Sequence, residues 1–235
     1  MIRATLLALL LWSTGAQASG CRLALAVAMD VSSSVDADED ALQRGGLVAA
    51  LISAEVQAAF LASDLPVALA VFEWSGRFNQ QLLLDWTLID GPDALLSAAE
   101  TIAASTRSHS DFPTAMGHAL GYGAGLLQRA PECLAMTLDM AGDGQNNDGF
   151  TPGQAYSAFP FDEVTVNGLV VNDDFEAETG LIAYYQREVA RGPGAFVEVA
   201  DGFADYERAM RRKLEREVTP PTIGHSAPGS VEPKG

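Results

Sequence analysis

Leu23-Ala-Leu-Ala-Val-Ala-Met29 runs straight into Asp30-Val-Ser32-Ser-Ser34. An unbroken apolar run of this length reads as a strand buried on both faces, and such strands belong to parallel sheets. Where the strand ends, an aspartate followed by two hydroxyls at alternate positions places three oxygen ligands on one tight loop. That donor set suits a hard divalent cation such as Mg²⁺, with Mn²⁺ and Ca²⁺ as alternatives. Asp and Ser are also ordinary turn and N-cap residues, and simple capping of the helix that follows Val35 is the competing reading. The loop gains meaning only if distant segments supply further ligands.

Outward from this strand, apolar runs and helical patterns alternate along the chain. Further strands are expected at residues 67–72, 82–86, 134–140, 164–171 and 195–199, and helices near 38–61, 93–106, 114–128, 175–191 and 203–217. A short helix after Thr151-Pro152 is also expected. This alternation predicts an α/β fold: a doubly wound, mainly parallel, six-stranded sheet covered on both faces. The link between the second and third strands is too short for a helical crossover, so the third should be an antiparallel edge strand. The glycines at 117, 121, 123 and 125 cost helix propensity and are expected to allow close packing on the sheet.

In such a sheet, ligands gather at the carboxyl ends of the strands, where strand order reverses. Two more polar groups are expected there. Thr114 opens a helix after the loop Ser108-His-Ser-Asp-Phe-Pro113, and Asp143-Gly144 follows the fourth strand. They meet the first loop if strands one and four are neighbours, as the order 3-2-1-4-5-6 requires. Asp139 is a rival carboxylate but lies inside its strand. Gln145-Asn-Asn-Asp-Gly149 is oxygen-rich and lacks EF-hand spacing, so a solvated turn is expected rather than a second ion site. Asp111 reads as a helix cap.

Asp30, Ser32 and Ser34, with Thr114 and Asp143, resemble the metal-ion-dependent adhesion site of von Willebrand factor A-type domains, and the resemblance spans roughly residues 21–218. Glu73-Trp-Ser-Gly76 and Gly192-Pro-Gly-Ala-Phe-Val-Glu-Val199 resemble an uncharacterised bacterial branch, the DUF1194 family. The resemblance implies a Rossmann-like fold, a divalent cation on these five residues, and a protein ligand whose Asp or Glu completes the coordination. It implies no known activity. The chain departs from the pattern at Phe112, where a glycine is usual.

The formal charge of −17 would repel nucleic acid and anionic lipid. Residues 1–20 read as an export signal: Arg3, an apolar core from Leu6 to Trp12, and Ala16-Gln-Ala18 as cleavage site. The apolar stretch is too short for a membrane span, so a secreted, bacterial periplasmic protein is expected. Cys21 either carries a lipid or pairs with Cys133. Each cysteine opens an apolar run that ends near an aspartate, so adjacent parallel strands would bring the two together, which favours the disulfide. The domain is expected over 21–218 and a disordered, Pro/Gly-rich tail over 219–235.

Three functional readings compete: a non-catalytic binding module centred on the cation, a metal-assisted hydrolase using the same aspartates, and a metal-independent interaction scaffold. The hydrolase is disfavoured. The position two beyond Asp30 is Ser32 rather than an acid, no G-x-S-x-G elbow exists, and His109, His118 and His225 are not placed as bases. The scaffold would use Trp74, Phe78 and Trp86 around the edge hairpin. Asn172-Asp-Asp174, at the end of the fifth strand, either shapes the rim or caps the next helix.

Overall fold

The computed structural model describes residues 20–172 and 178–220. The expected export signal, Asp173-Asp174 and the tail beyond residue 220 lie outside the described residues. One six-stranded sheet runs in the order β3-β2-β1-β4-β5-β6, with β1 at Leu23–Asp30, β2 at Val67–Ser75, β3 at Asn79–Ile89, β4 at Met136–Gly142, β5 at Val164–Asn172 and β6 at Val197–Asp201. All neighbours are parallel except β2 and β3, the antiparallel edge pair.

The alternation within β1 explains how it is buried twice over. Leu23, Leu25, Val27 and Met29 enter one core, with α1 (Ala37–Ile52), α2 (Ala54–Phe60), α3 (Pro92–Ala103) and α7 (Tyr206–Val218). Ala24, Ala26 and Ala28 enter the other, with α4 (Met116–Gln128), α5 (Pro152–Ala158), α6 (Glu178–Tyr184) and Tyr185 and Val189 of the π-turn at its end. Large side chains fill the first core, and small ones let α4 close onto the second. Truncating Leu25, fully buried, to alanine would cost about 2–5 kcal/mol.

Several boundaries differ from expectation. The helix expected over 38–61 breaks at Ser53, whose ψ of 149° leaves the helical region and whose hydroxyl accepts from Val56 N–H to start α2. The helix expected from Thr114 starts at Met116. Its glycines do not all meet the sheet: a methyl on Gly123 would lie 2.7 Å from Leu138, but one on Gly121 would meet Phe159 and one on Gly117 the carbonyl of Phe150. Strand β4 runs two residues further than expected and ends at Gly142, directly before Asp143.

The two cysteines form a disulfide, with Cα atoms 4.5 Å apart, and bridge as parallel neighbours just before β1 and β4. Asp139 is no rival ligand: it is buried in mid-strand, 2.6 Å from the Lys213 ammonium of α7, which also pairs with Glu217. Among the described residues no helix is long and apolar enough to cross a membrane.

Candidate metal centre

The parallel pairing of β1 with both β2 and β4 brings three loops to one rim. In the first, Asp30 Oδ1 accepts the Ser32 N–H at 2.7 Å, a tight turn that aims both Asp30 and Ser32 inward. Gln43 of α1 donates to the Asp30 carbonyl at 2.7 Å, and Val31 N–H to the Trp74 carbonyl at 2.9 Å. Capping of α1 falls instead to Asp36, which accepts from Asp38 and Glu39 N–H in a capping box. Asp30 and the serines are therefore not the helix cap.

The second loop is stitched to the first where Ser33 N–H donates to the Phe112 carbonyl at 2.8 Å, and to the β2–β3 hairpin where Gly76 N–H donates to the Pro113 carbonyl at 2.6 Å. Thr114 is thereby buried beside Ser32, donating from Oγ1 to Ser32 Oγ at 3.2 Å. The start of α4 is capped from the third loop: Asn147 Oδ1 accepts Thr114 N–H at 2.9 Å and Asn146 Oδ1 accepts Gly117 N–H at 3.3 Å. Residues 145–149 thus brace Thr114 and α4 through Asn146 and Asn147, while Gln145, Asn147 and Gly149 stay exposed as expected of a solvated turn. Asp111, exposed and paired with Ser110, does not cap α4.

The third loop places Asp143 so that its Oδ1 accepts from Ser34 Oγ at 2.8 Å, while Ser34 and Ser32 hydroxyls lie 3.1 Å apart. Asp143, Ser34, Ser32 and Thr114 form one continuous chain of oxygens drawn from three loops. Asp30 lies beneath it, fully buried, with its Oδ2 lacking any hydrogen-bond partner. Burial first, and the charge of Asp143 second, push the Asp30 carboxyl up to about 8. Two carboxylates and three neutral hydroxyls converging on an orphaned buried oxygen fit a hard cation. Among the described residues no group of three or more His, Cys, Asp or Glu is placed to hold a metal ion.

Several residues that position these loops were not singled out from sequence. Glu73, buried at the end of β2, accepts from Ser108 N–H at 2.7 Å and pairs with Arg44 of α1 at 2.9 Å; Arg44 also reaches Asp40 and Ser105. Arg107 donates to the Val31 and Ser32 carbonyls, each at 2.9 Å. An acid inside an apolar strand was the available signal for Glu73, since such a charge is stable only when paired. Tyr184 and Tyr185 flank the centre from α6, with Tyr184 Oη accepting Asn146 N–H at 3.3 Å. Nothing in their spacing marked them.

The aromatic cluster expected at the hairpin is divided. Trp74 is fully buried, and Trp86 donates from its indole to the Leu126 carbonyl at 3.0 Å. Phe78 alone is widely open, at 88% exposure, and its ring meets His118 edge-on. His118 packs on Phe150 with ring centres 4.0 Å apart, and burial lowers its pKa. Arg77 pairs with Asp148 beside them at 2.7 Å.

A family model described as "Protein of unknown function (DUF1194)" matches residues 20–222. No curated protein matches. Among solved structures, proximal thread matrix protein 1 from the mussel byssus, with a zinc-occupied MIDAS motif, is similar at a TM-score of 0.61 and 17% identity, over 85% of this chain and 46% of that one. A von Willebrand factor type A structure from Catenulispora acidiphila gives a TM-score of 0.59 at 16% identity, over 84% and 43%. The PilB minor pilin of Streptococcus sanguinis gives 0.58 at 12%, over 86% and 61%. The chain spans about half the length of the first of these structures. At such identities the likeness establishes the fold alone, a von Willebrand factor A-type fold.

Proposed function

The chain belongs to the DUF1194 family, and we propose that it is a non-catalytic module that captures a protein ligand through a divalent cation. Asp30, Ser32, Ser34, Thr114 and Asp143 hold the ion, Mg²⁺ in the first instance with Mn²⁺ or Ca²⁺ as substitutes. The observation that carries this reading is the chain of oxygens from three loops above the partnerless Asp30 Oδ2. Three of the five ligands are neutral, so the ion stays electron-poor and attracts an outside carboxylate, an Asp or Glu of the partner. Mg²⁺ bound there would keep an open or water-filled position that such a carboxylate could take. The zinc named in the mussel structure supports a metal at the corresponding place of this fold.

Export to an oxidising compartment is part of the proposal. It draws support from the sequence of residues 1–20 and from the disulfide. The chain's strong negative charge disfavours acidic partners at long range, so the captured carboxylate belongs to a specific local contact.

Calorimetric titration of the folded chain with Mg²⁺, Mn²⁺ and Ca²⁺ tests this reading, with Asp30→Ala as control. Saturable uptake by wild type alone supports it; a folded wild type that takes up none of the three ions sinks it. The 88% exposure of Phe78 beside the Thr114 loop favours one alternative, a metal-independent contact surface on the hairpin. Partner capture that survives chelator and Asp30→Ala but is lost in Phe78→Ser would establish that alternative instead.

A further inference from the structure

Tyr185 opens a π-turn, Tyr185–Val189, that ends α6. Such turns insert an extra residue and redirect the side chains that follow; they are rare, and frequently sit at functional sites. Here the turn sends Tyr185 into the core, where it is fully buried. Its ring crosses β5 and β4 where both strands carry glycine. A methyl on Gly168 would lie 2.7 Å from the ring's Cδ1. One on Gly142 would lie 2.7 Å from the phenol oxygen and 2.8 Å from Asp30 Oδ2. The phenol and the Asp30 carboxylate therefore share the space over the bare Cα of Gly142.

Both of those oxygens are buried, and neither has a hydrogen-bond partner, the other oxygen included. Buried polar groups are almost always partnered, and a buried phenol without an acceptor is worse than phenylalanine in the same slot. At the ring's far end the Asp30 carboxylate oxygen shares the space over Gly142 with the hydroxyl and gives it a reason to be there.

We propose that Tyr185 is a positioning residue of the cation site, its phenol donating to Asp30 Oδ2 through one bridging water and so fixing the carboxylate's orientation. This rests on the reading of the rim as a cation site. Ser32 N–H already holds Asp30 Oδ1 at 2.7 Å, so the phenol ties the second oxygen. A carboxylate tied at both oxygens meets the ion through one lone pair or one water and does not chelate it. That arrangement suits the small octahedral Mg²⁺, whereas Ca²⁺ accepts bidentate carboxylates and more ligands. Partners one step removed from a metal commonly govern affinity by 10–100-fold.

The test compares wild type, Tyr185→Phe, Asp30→Ala and the double variant, by Mg²⁺ and Ca²⁺ titration and by thermal melting in chelator. Tyr185→Phe keeps the ring that fills the glycine slot, and cooperative melting verifies its fold. The expected result is roughly a 10-fold or greater loss of Mg²⁺ affinity with a smaller loss for Ca²⁺, and Tm changes of the single variants that do not add in the double. Unchanged Mg²⁺ affinity and ion preference in Tyr185→Phe would overturn the positioning role while leaving the cation site standing. If wild type takes up no ion, the cation reading and the positioning role fall together. The melts then judge the water-bridged phenol–carboxylate link alone: additive Tm changes overturn it, and non-additive ones retain it.

Discussion

Asp30 combines every constraint at the rim. On the proposed reading its burial is what lets it hold an ion close, yet burial and the charge of Asp143 oppose its ionisation. Without a cation, its charge is a liability to the fold. Asp30→Asn keeps an acceptor for Ser32 N–H and removes the desolvated charge, so in chelator the variant should be more stable than wild type, by about 1–2 kcal/mol. Added Mg²⁺ should raise the wild-type Tm and leave that of the variant in place. A differential scan of the two proteins with and without Mg²⁺ checks both statements. The candidate oxygen donors of the first loop were legible at this scale because Asp30, Ser32 and Ser34 lie at alternate positions of one short segment. Glu73, Arg107 and Tyr185 were not, since each acts on a loop far away in the chain.

At the scale of elements, β4 and α7 meet through an ionic cluster sealed from water. Asp139, Lys213 and Glu217 are buried together, with Asn167 of β5 donating to Glu217 at 2.6 Å. One ammonium serves two carboxylates. Lys213→Met should destabilise the chain by about 3–5 kcal/mol in urea unfolding above neutral pH, because there it strands both acids without a counter-charge. Burial, and then the charge of Glu217, raise the Asp139 carboxyl from 3.8 to about 7. The folded chain then binds that proton more tightly than the unfolded chain does. This contribution to stability is complete below the unfolded value and is lost as pH rises to about 7. Relative to wild type, Asp139→Asn should therefore gain stability between about pH 4 and pH 7, read from denaturant midpoints across that range. From sequence, Asp139 was an isolated acid in a strand; its partner one helix-turn from Glu217 was visible only once α7 was seen to cover β4.

For the whole molecule, the disulfide and the rim occupy opposite ends of the sheet. Cys21 precedes β1 and Cys133 precedes β4, whereas Asp30 and Asp143 end or follow the same strands, roughly 25–30 Å away. The bond closes a separation of 112 residues. Replacing both cysteines by serine should lower unfolding stability by up to about 4–5 kcal/mol through released loop entropy. Mg²⁺ affinity should be unchanged, because strands β1 and β4 are held in register by their own ladder. Denaturant melts and titration of the double variant test the two halves of that statement separately.

Local order decided much of this protein before any tertiary contact was known. Strand period and the short β2–β3 link depend on near neighbours in the chain, and they yielded the strands and the antiparallel edge; the cysteine-to-aspartate spacings pointed to the disulfide on condition that β1 and β4 are neighbours, which the observed sheet order meets. Given that order, the loops bearing Asp30, Thr114 and Asp143 meet at one rim, because strand ends and their loops travel together. Tertiary structure alone decided what surrounds those loops. The Asn146 and Asn147 caps on α4, the Glu73–Arg44 brace, the sealed Lys213 cluster and the Tyr185 phenol beside Asp30 join residues from separate elements. Each is a polar group whose place is set by the need to find a partner once water is excluded, and that need arises only when the layers close.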